Sequence, residues 1–426
     1  MNLLQLLIEE EKTFNNFKQK LEEKKVIVKE QSDSDLFLAT YPNTTAQTDT
    51  DVDMNDPIVK ACKGVIFQRD PLKIVCYTFS KPTEIDLNGE KHGVDGDENE
   101  DKDKERVDEK EDKHEDEKEN ENEKEDKHGD DGKVNRYLEL SKKWNEFNVE
   151  ELIDGSCIKL YYHNEMWNIS TNRCIDSKKA NWNNYKNFYD MWEDARKEME
   201  LEYDVLDNDC VYSFVLCHPQ NRIVTKHVKP CIIHIGTFNM KECKEVERKL
   251  NIQKNLTPKE YKISSYDEML SEVQKLHYMT RGFAITSKEL NENGEYDRYI
   301  VENPEFTMVK NVRGSKRSMI ERYVELSRTD SEMFKMFNQY FPEFSWVDEK
   351  MEQLAQMIFW IYTNFYIHKT TKFVNPKYWK IVNELHNLYL STFEKTSIHT
   401  VRNHLNTYPL KELCSLLRGR YVFKTE

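Results

Sequence analysis

The sequence predicts an α+β fold, with antiparallel sheets in the body of the chain and an all-helical region after them. Three observations carry this. Short strand-like runs bounded by turn residues recur between about residues 60 and 310. Apolar positions switch to helical spacing from about residue 314. The length, 426 residues, is ample for two buried cores.

The elements follow in order. Leu3, Leu7, Phe14, Phe17 and Leu21 recur at helical spacing and predict one amphipathic N-terminal helix. A signal peptide is not expected there, because the stretch lacks a basic leader and Glu9 to Glu11 interrupt its apolar residues. "KGVIFQRD" (63–70) and "LKIVCYTF" (72–79) are strand candidates, and "DGSCIKLYYH" with "EMWNIST" predicts a hairpin. A helix is expected over 182–200, strands over 210–217 and 229–239, and a helix over "SYDEMLSEVQKLH". "RGFAITS" and "RYIVEN" close the β-rich part.

In the helical region Met351, Leu354, Met357, Ile361 and Phe365 are expected to share one buried face. The aromatic residues Phe359, Trp360, Tyr362 and Phe365 are assigned to its core. Pro376 stands where a helix start tolerates proline, and 397–420 supplies two more helices. The longest apolar run downstream, "MIFWIY" at 357–362, falls far short of the roughly 20 residues that span a bilayer, so no membrane partner is expected.

Charge divides the chain further. The formal net charge is −15, but residues 89–133 alone hold 22 acidic and 10 basic residues, a net of −12. The remainder is nearly neutral, so the total neither favours nor excludes a nucleic-acid partner. The acidic segment has no aromatic residue and repeats "EKEDKH", at 109–114 and 123–128, which predicts a disordered insert. The expected organisation is therefore 1–88, an insert at 89–133, the rest of the β-rich domain at 134–313, and a helical domain at 314–426.

Nine scattered cysteines include no CxxC pair and no zinc-like cluster. Reduced thiols in the cytoplasm are expected, with no metal site and no disulfide-linked partner.

Six short stretches, in this order, resemble the phage-type RNA ligases, a family of the covalent nucleotidyltransferases. "ACKGVIF" (61–67) is similar to the segment before the active site, and "YTFSKP" (77–82) to a stretch ending in a phosphate-contacting lysine. "ELIDGS" (151–156) resembles the Lys-x-Asp-Gly nucleophile motif. "FVLCHPQNRIV" (214–224) resembles Phe-Glu-Leu-Val-x-Pro-x-Asn-Arg-Ile-Val, and "RGFAI" with "YIVENPEF" the two closing motifs.

The resemblance implies a nucleotidyltransferase domain with antiparallel sheets around a cleft. It also implies a lysine that attacks the α-phosphate of ATP, two glutamates that contact ribose and a divalent metal, and two closing lysines on the phosphates. Here the nucleophile position holds Leu152, the glutamate positions hold Val215 and Arg281, and the lysine positions hold Ile300 and Glu302. All five have changed, and the charges at Arg281 and Glu302 are opposite in sign to the family's.

Lys63, Lys81, Asp154, Gly155, Asn221 and Arg222 persist as candidate nucleotide contacts. Gly155 is expected to supply a turn with unusual backbone angles. Lys159 is expected to face solvent from a strand, and Lys178 and Lys179 fit no nucleophile pattern. In the basic stretch 309–323, Lys310, Arg313, Lys316 and Arg317 are candidate RNA contacts or a solvated helix start.

Three functions follow as expectations. One is a ligase-like pseudoenzyme that keeps nucleotide, RNA or protein binding. Another is an active ATP-dependent RNA ligase of RNA repair with a relocated lysine, which needs ATP and magnesium. The third is an interaction protein that holds a protein partner through its acidic insert. Helical tails of this kind occur in homologues from large DNA viruses, and the Asn/Lys/Glu-rich composition is compatible with that origin and with the cytoplasm of an infected host.

Overall fold

In the computed structural model the described residues are 3–42, 52–87, 139–180, 186–250, 252, 254–316 and 318–418. The expected acidic insert, and Arg317, lie outside them. Two compact units are present, one formed by Met1–Asn181 with Lys186–Phe306, the other mainly by Thr307–Glu426. No helix among the described residues is long and apolar enough to cross a membrane.

The first unit opens with two helices, α1 (Leu3–Glu11) and α2 (Phe14–Glu23), rather than the single one expected. Lys12 takes a positive φ of 56°, and the Thr13 hydroxyl accepts from the Asn16 amide to start the second helix. The apolar spacing survives the break, which is why periodicity alone did not reveal it.

Three sheets follow. The first has the order β1 (Ile27–Glu30), β2 (Leu36–Thr40), β3 (Lys63–Gln68) and β4 (Lys73–Cys76). The short α3 (Pro57–Ala61) precedes β3 and is capped by Asp56. Phe14, Phe17, Phe37 and Phe67 pack between α2 and this sheet, with Phe37 stacked on Phe67 at 5.0 Å.

The second sheet combines β7 (Ser156–His163), β8 (Met166–Thr171), β9 (Cys210–Cys217), β10 (Cys231–Asn239) and β11 (Lys244–Val246), in the order β11-β10-β9-β7-β8. All eight residues of β9 are buried, which explains its continuous apolar run. The β7–β8 hairpin turns at Asn164 and Glu165, both with positive φ, as a tight two-residue connection needs. α4 (Phe188–Glu198) lies within the predicted 182–200 span.

The third sheet has β12 (Glu260–Tyr261), β6 (Phe147–Glu151), β13 (Gly282–Leu290), β14 (Tyr296–Glu302) and β5 (Thr83–Glu84), in that order. Every pairing is antiparallel except the short β14–β5 contact. α5 (Tyr266–Val273) covers it, burying Tyr266, Met269 and Val273 against Phe283, Ile285 and Val301. The expected α+β architecture of antiparallel sheets followed by helices is what the structure has.

α6 (Pro304–Arg313) leads into the second unit, which continues as α7 (Met319–Thr329), α8 (Ser331–Tyr340), α9 (Trp346–Tyr362), α10 (Pro376–Thr392), α11 (Ile398–Thr407) and α12 (Leu410–Leu417). The buried stripe of α9 is Val347, Leu354, Ala355, Ile358 and Tyr362, so of the five residues expected on it only Leu354 is fully buried. Trp360, assigned to the core from sequence, is 60% exposed. In a run as apolar as "MIFWIY", the inward face is chosen by neighbouring helices and not by the run itself.

Candidate functional site

The site is built around the turn from β6 into β7. Beyond the end of β6, the Leu152 amide donates to the Gly282 carbonyl at 2.9 Å, so this position continues the ladder with β13. Gly282 is in turn paired with Glu302 on β14. Leu152, Gly282 and Glu302 thus form one row across three strands, and Ile300, two residues before Glu302, shares its face.

Val215 arrives from the second sheet, opposite Cys157 on β7 and packed on Gly155. Four of the changed positions, Leu152, Arg281, Ile300 and Glu302, therefore lie on or beside adjoining strands of the third sheet, and Val215 packs on the turn that follows Leu152.

Their chemistry is self-contained. Arg281 donates through Nε and Nη2 to Oε1 of Glu302 at 2.8 and 2.7 Å, with both side chains partly exposed. The guanidinium and the carboxylate neutralise one another across the β13–β14 register. Leu152, Val215 and Ile300 add no donor or acceptor side chain. Among the described residues no group of three His, Cys, Asp or Glu side chains comes together as metal ligands. A divalent metal as the resemblance implies does not fit a valine and an arginine at its ligand positions.

The persisting residues have structural partners. Asp154 is 5% exposed, and its carboxylate accepts from the Val224 and Thr225 amides at 3.0 and 2.8 Å. Its backbone oxygen accepts from His227 Nε2 at 2.9 Å. Asn221 donates to the Ser156 hydroxyl at 2.8 Å, and Arg222 Nε to the Val224 carbonyl at 3.0 Å. The "HPQNRIVTKH" segment is thereby fastened onto the Asp154-Gly155-Ser156 turn.

Gly155 differs from expectation. It has no positive φ; a Cβ there would lie 2.6 Å from the Leu216 carbonyl oxygen and 2.7 Å from Val215 Cγ1. The glycine serves close approach of β9 and not an unusual turn.

The lysines also differ. Lys159, expected in solvent, is 1% exposed, and its ammonium donates to the carbonyl oxygens of Lys63 and Gly64. Burial lowers its pKa, against the opposing influence of Cys76 and Cys157. Lys63 is buried too, with Nζ 3.7 Å from the centre of the Phe79 ring. Burial, with Arg298 and Lys159 adding to it, lowers the Lys63 pKa to about 8.

Arg298 sits 4.0 Å from the same Phe79 ring and pairs with Glu245 at 2.8 Å. Sequence reasoning missed Arg298 because nothing in "YDRYIVE" distinguishes an inward arginine from a solvated one. Lys81 pairs with Glu84 at 3.0 Å. It lines a cleft of about 220 Å³ with Lys60, Tyr77, Ser80, Glu295 and Arg298. None of the five changed positions lines this cleft.

Of the candidate RNA contacts, the described ones, Lys310, Arg313 and Lys316, are part-buried or engaged with neighbouring groups. Arg313 is 3% exposed, and its Nη1 donates to the carbonyls of Gly314 and Lys316 at 2.7 and 3.2 Å, closing the end of α6. Lys316 pairs with Glu325 at 3.4 Å, and Lys310 is half-buried. Arg313 is spent on the helix junction, a use that charge counting cannot distinguish from an exposed patch.

No protein-family model matches the sequence, and no curated protein matches it. Among solved structures it is similar to an archaeal ATP-dependent RNA ligase, with 8% identity, a TM-score of 0.38, and 84% of this chain and 83% of that one covered. It is similar to a putative ATP-dependent DNA ligase from Aquifex aeolicus, with 10% identity, a TM-score of 0.37 and 80% of each chain covered. A Naegleria gruberi RNA ligase variant with AMP and manganese is similar at 9% identity and a TM-score of 0.32, over 41% of this chain. The chain spans 55% of the length of that ligase.

Proposed function

We propose that this chain is an RNA ligase-like protein that has lost nucleotidyl transfer and keeps binding of nucleotide, RNA or a protein. The observation that carries the reading is the Arg281–Glu302 pair beside Leu152. Where the resemblance calls for a metal-binding carboxylate and a phosphate-holding lysine, the two side chains satisfy each other, and the neighbouring position has no nucleophile. Covalent catalysis needs a deprotonated amine within reach of the α-phosphate and cations aimed at the developing charge, and this arrangement supplies neither.

The test is incubation of the full chain with α-labelled ATP and magnesium or manganese, beside an ATP-binding titration. Saturable binding without a protein–AMP adduct is the expected outcome. An adduct overturns the reading.

A second reading, an active ligase with a relocated lysine, is favoured by one observation. Lys63 is a buried amine with its pKa lowered to about 8, so a substantial fraction is free base near pH 8. In that reaction its nitrogen would bond to the α-phosphorus, the bond to pyrophosphate would break, and the amine would release a proton. This reading requires an adduct that Lys63→Met abolishes and Lys159→Met does not.

A further inference from the structure

Among the described strands, one register position sets two cysteines face to face. Cys217 ends β9, Cys231 begins β10, and the two are directly opposite in the antiparallel pairing. Residues so placed have Cα atoms about 4.5 to 5.5 Å apart. A disulfide accepts separations of about 4.4 to 6.8 Å. Both thiols are free in the structure, Cys231 half-buried and Cys217 buried.

We infer that Cys217 and Cys231 form a dithiol site that a hydroperoxide oxidises to a cross-strand disulfide. Cys231 is the thiol that a small oxidant reaches, and Cys217 is the one that resolves. The pair sits at the base of the 218–230 connection, the same segment that Asp154 and Ser156 fasten through Val224, Thr225 and Asn221. Cys217 also points its thiol at the Asp154 carbonyl at 3.6 Å. The bond would clasp that segment shut and take away this S–H donor.

The electrostatics divide the roles in the same way. The neighbouring Cys217 thiol holds the Cys231 thiol below its ordinary pKa, against the opposing effect of burial. The adjacent Cys231 sulfur, burial, and the nearby charge of Asp154 push the Cys217 thiol up. The thiolate of Cys231 attacks one oxygen of hydrogen peroxide, the O–O bond breaks, and hydroxide leaves. The resulting sulfenic acid is attacked by the Cys217 sulfur, the S–O bond breaks, and water leaves with the Cys217 proton. Two thiols lose two electrons, and the peroxide is reduced to two waters.

The experiment uses the full-length native protein and hydrogen peroxide, followed by alkylation, unfolding and peptide mapping. A dithiothreitol-reversible loss of two hydrogens joining the Cys217 and Cys231 peptides is expected. In Cys217→Ser a sulfenic acid trapped by dimedone should appear on Cys231, and Cys231→Ser should leave Cys217 reduced. Before oxidation, Cys231 should react with iodoacetamide about ten-fold faster than the half-buried Cys174 and Cys243. The inference is overturned if peroxide leaves both thiols alkylatable, or joins either of them to a different cysteine. The wild-type map decides the matter even if a serine variant fails to fold. Its outcome is independent of whether the chain binds ATP.

Discussion

Lys63 and Lys159 show how far burial alters a side chain's chemistry. Lys63 has a folded pKa of about 8 against an ordinary value of 10.5, so between these limits the unfolded chain holds a proton that the folded chain lacks. Stability therefore rises with pH through this window, by at most about 1.4 kcal/mol per pH unit. Urea unfolding at pH 7.5 and 9.5 should show a pH gain in the wild type that Lys63→Met loses. Lys159→Met leaves the carbonyls of Lys63 and Gly64 without their donor, and a loss of about 2 kcal/mol is expected by the same measurement. Asp154→Ala frees two buried amides, with a similar expected cost of about 2 kcal/mol. Gly155→Ala should cost about 1 to 3 kcal/mol, because β9 must move away from a Cβ placed 2.6 Å from the Leu216 carbonyl oxygen. An unchanged midpoint in Gly155→Ala would show that the strands are not pressed together there.

Among the strands and helices, the pairing of β13 with β14 decides what the changed motif residues do. Arg281 and Glu302 form an ion pair across that register, so each charge is engaged by the other. A double-mutant cycle with Arg281→Ala and Glu302→Ala should give a coupling of about 1 kcal/mol, the upper end for a partly exposed pair with two hydrogen bonds. A coupling near zero would mean that the pair is incidental. β9, β10 and the β7–β8 hairpin were legible because turn residues bound their β-rich runs. The inward face of α9 and the break between α1 and α2 were not, because apolar residues on several faces leave the choice to neighbouring elements. The same limit applies to 309–323, where five basic residues read as a surface and Arg313 turns out to close a helix end.

For the whole molecule, the acidic segment at 89–133 carries −12 of the −15 charge and falls between elements of one unit. Composition predicts a flexible loop there, and closing such a loop costs only about 0.6 kcal/mol more per doubling of its length. Deletion of 89–133 should therefore leave the thermal midpoint within a few degrees of the full chain, as calorimetry can check. Retention of every binding partner by that variant would count against the reading in which the insert is the working part. The sequence by itself determined the order of elements, the segregation of charge, and the residue types at the five positions of the resemblance, none of them the type the resemblance implies there, since these are properties of residue type and spacing. Only the tertiary structure decided that four of those positions adjoin on the third sheet, that Arg281 and Glu302 neutralise each other there, and that Lys63 and Lys159 are interior amines. The physical reason is that burial, register and dielectric surroundings are set by strands distant in sequence, and no local pattern encodes which of them will be neighbours.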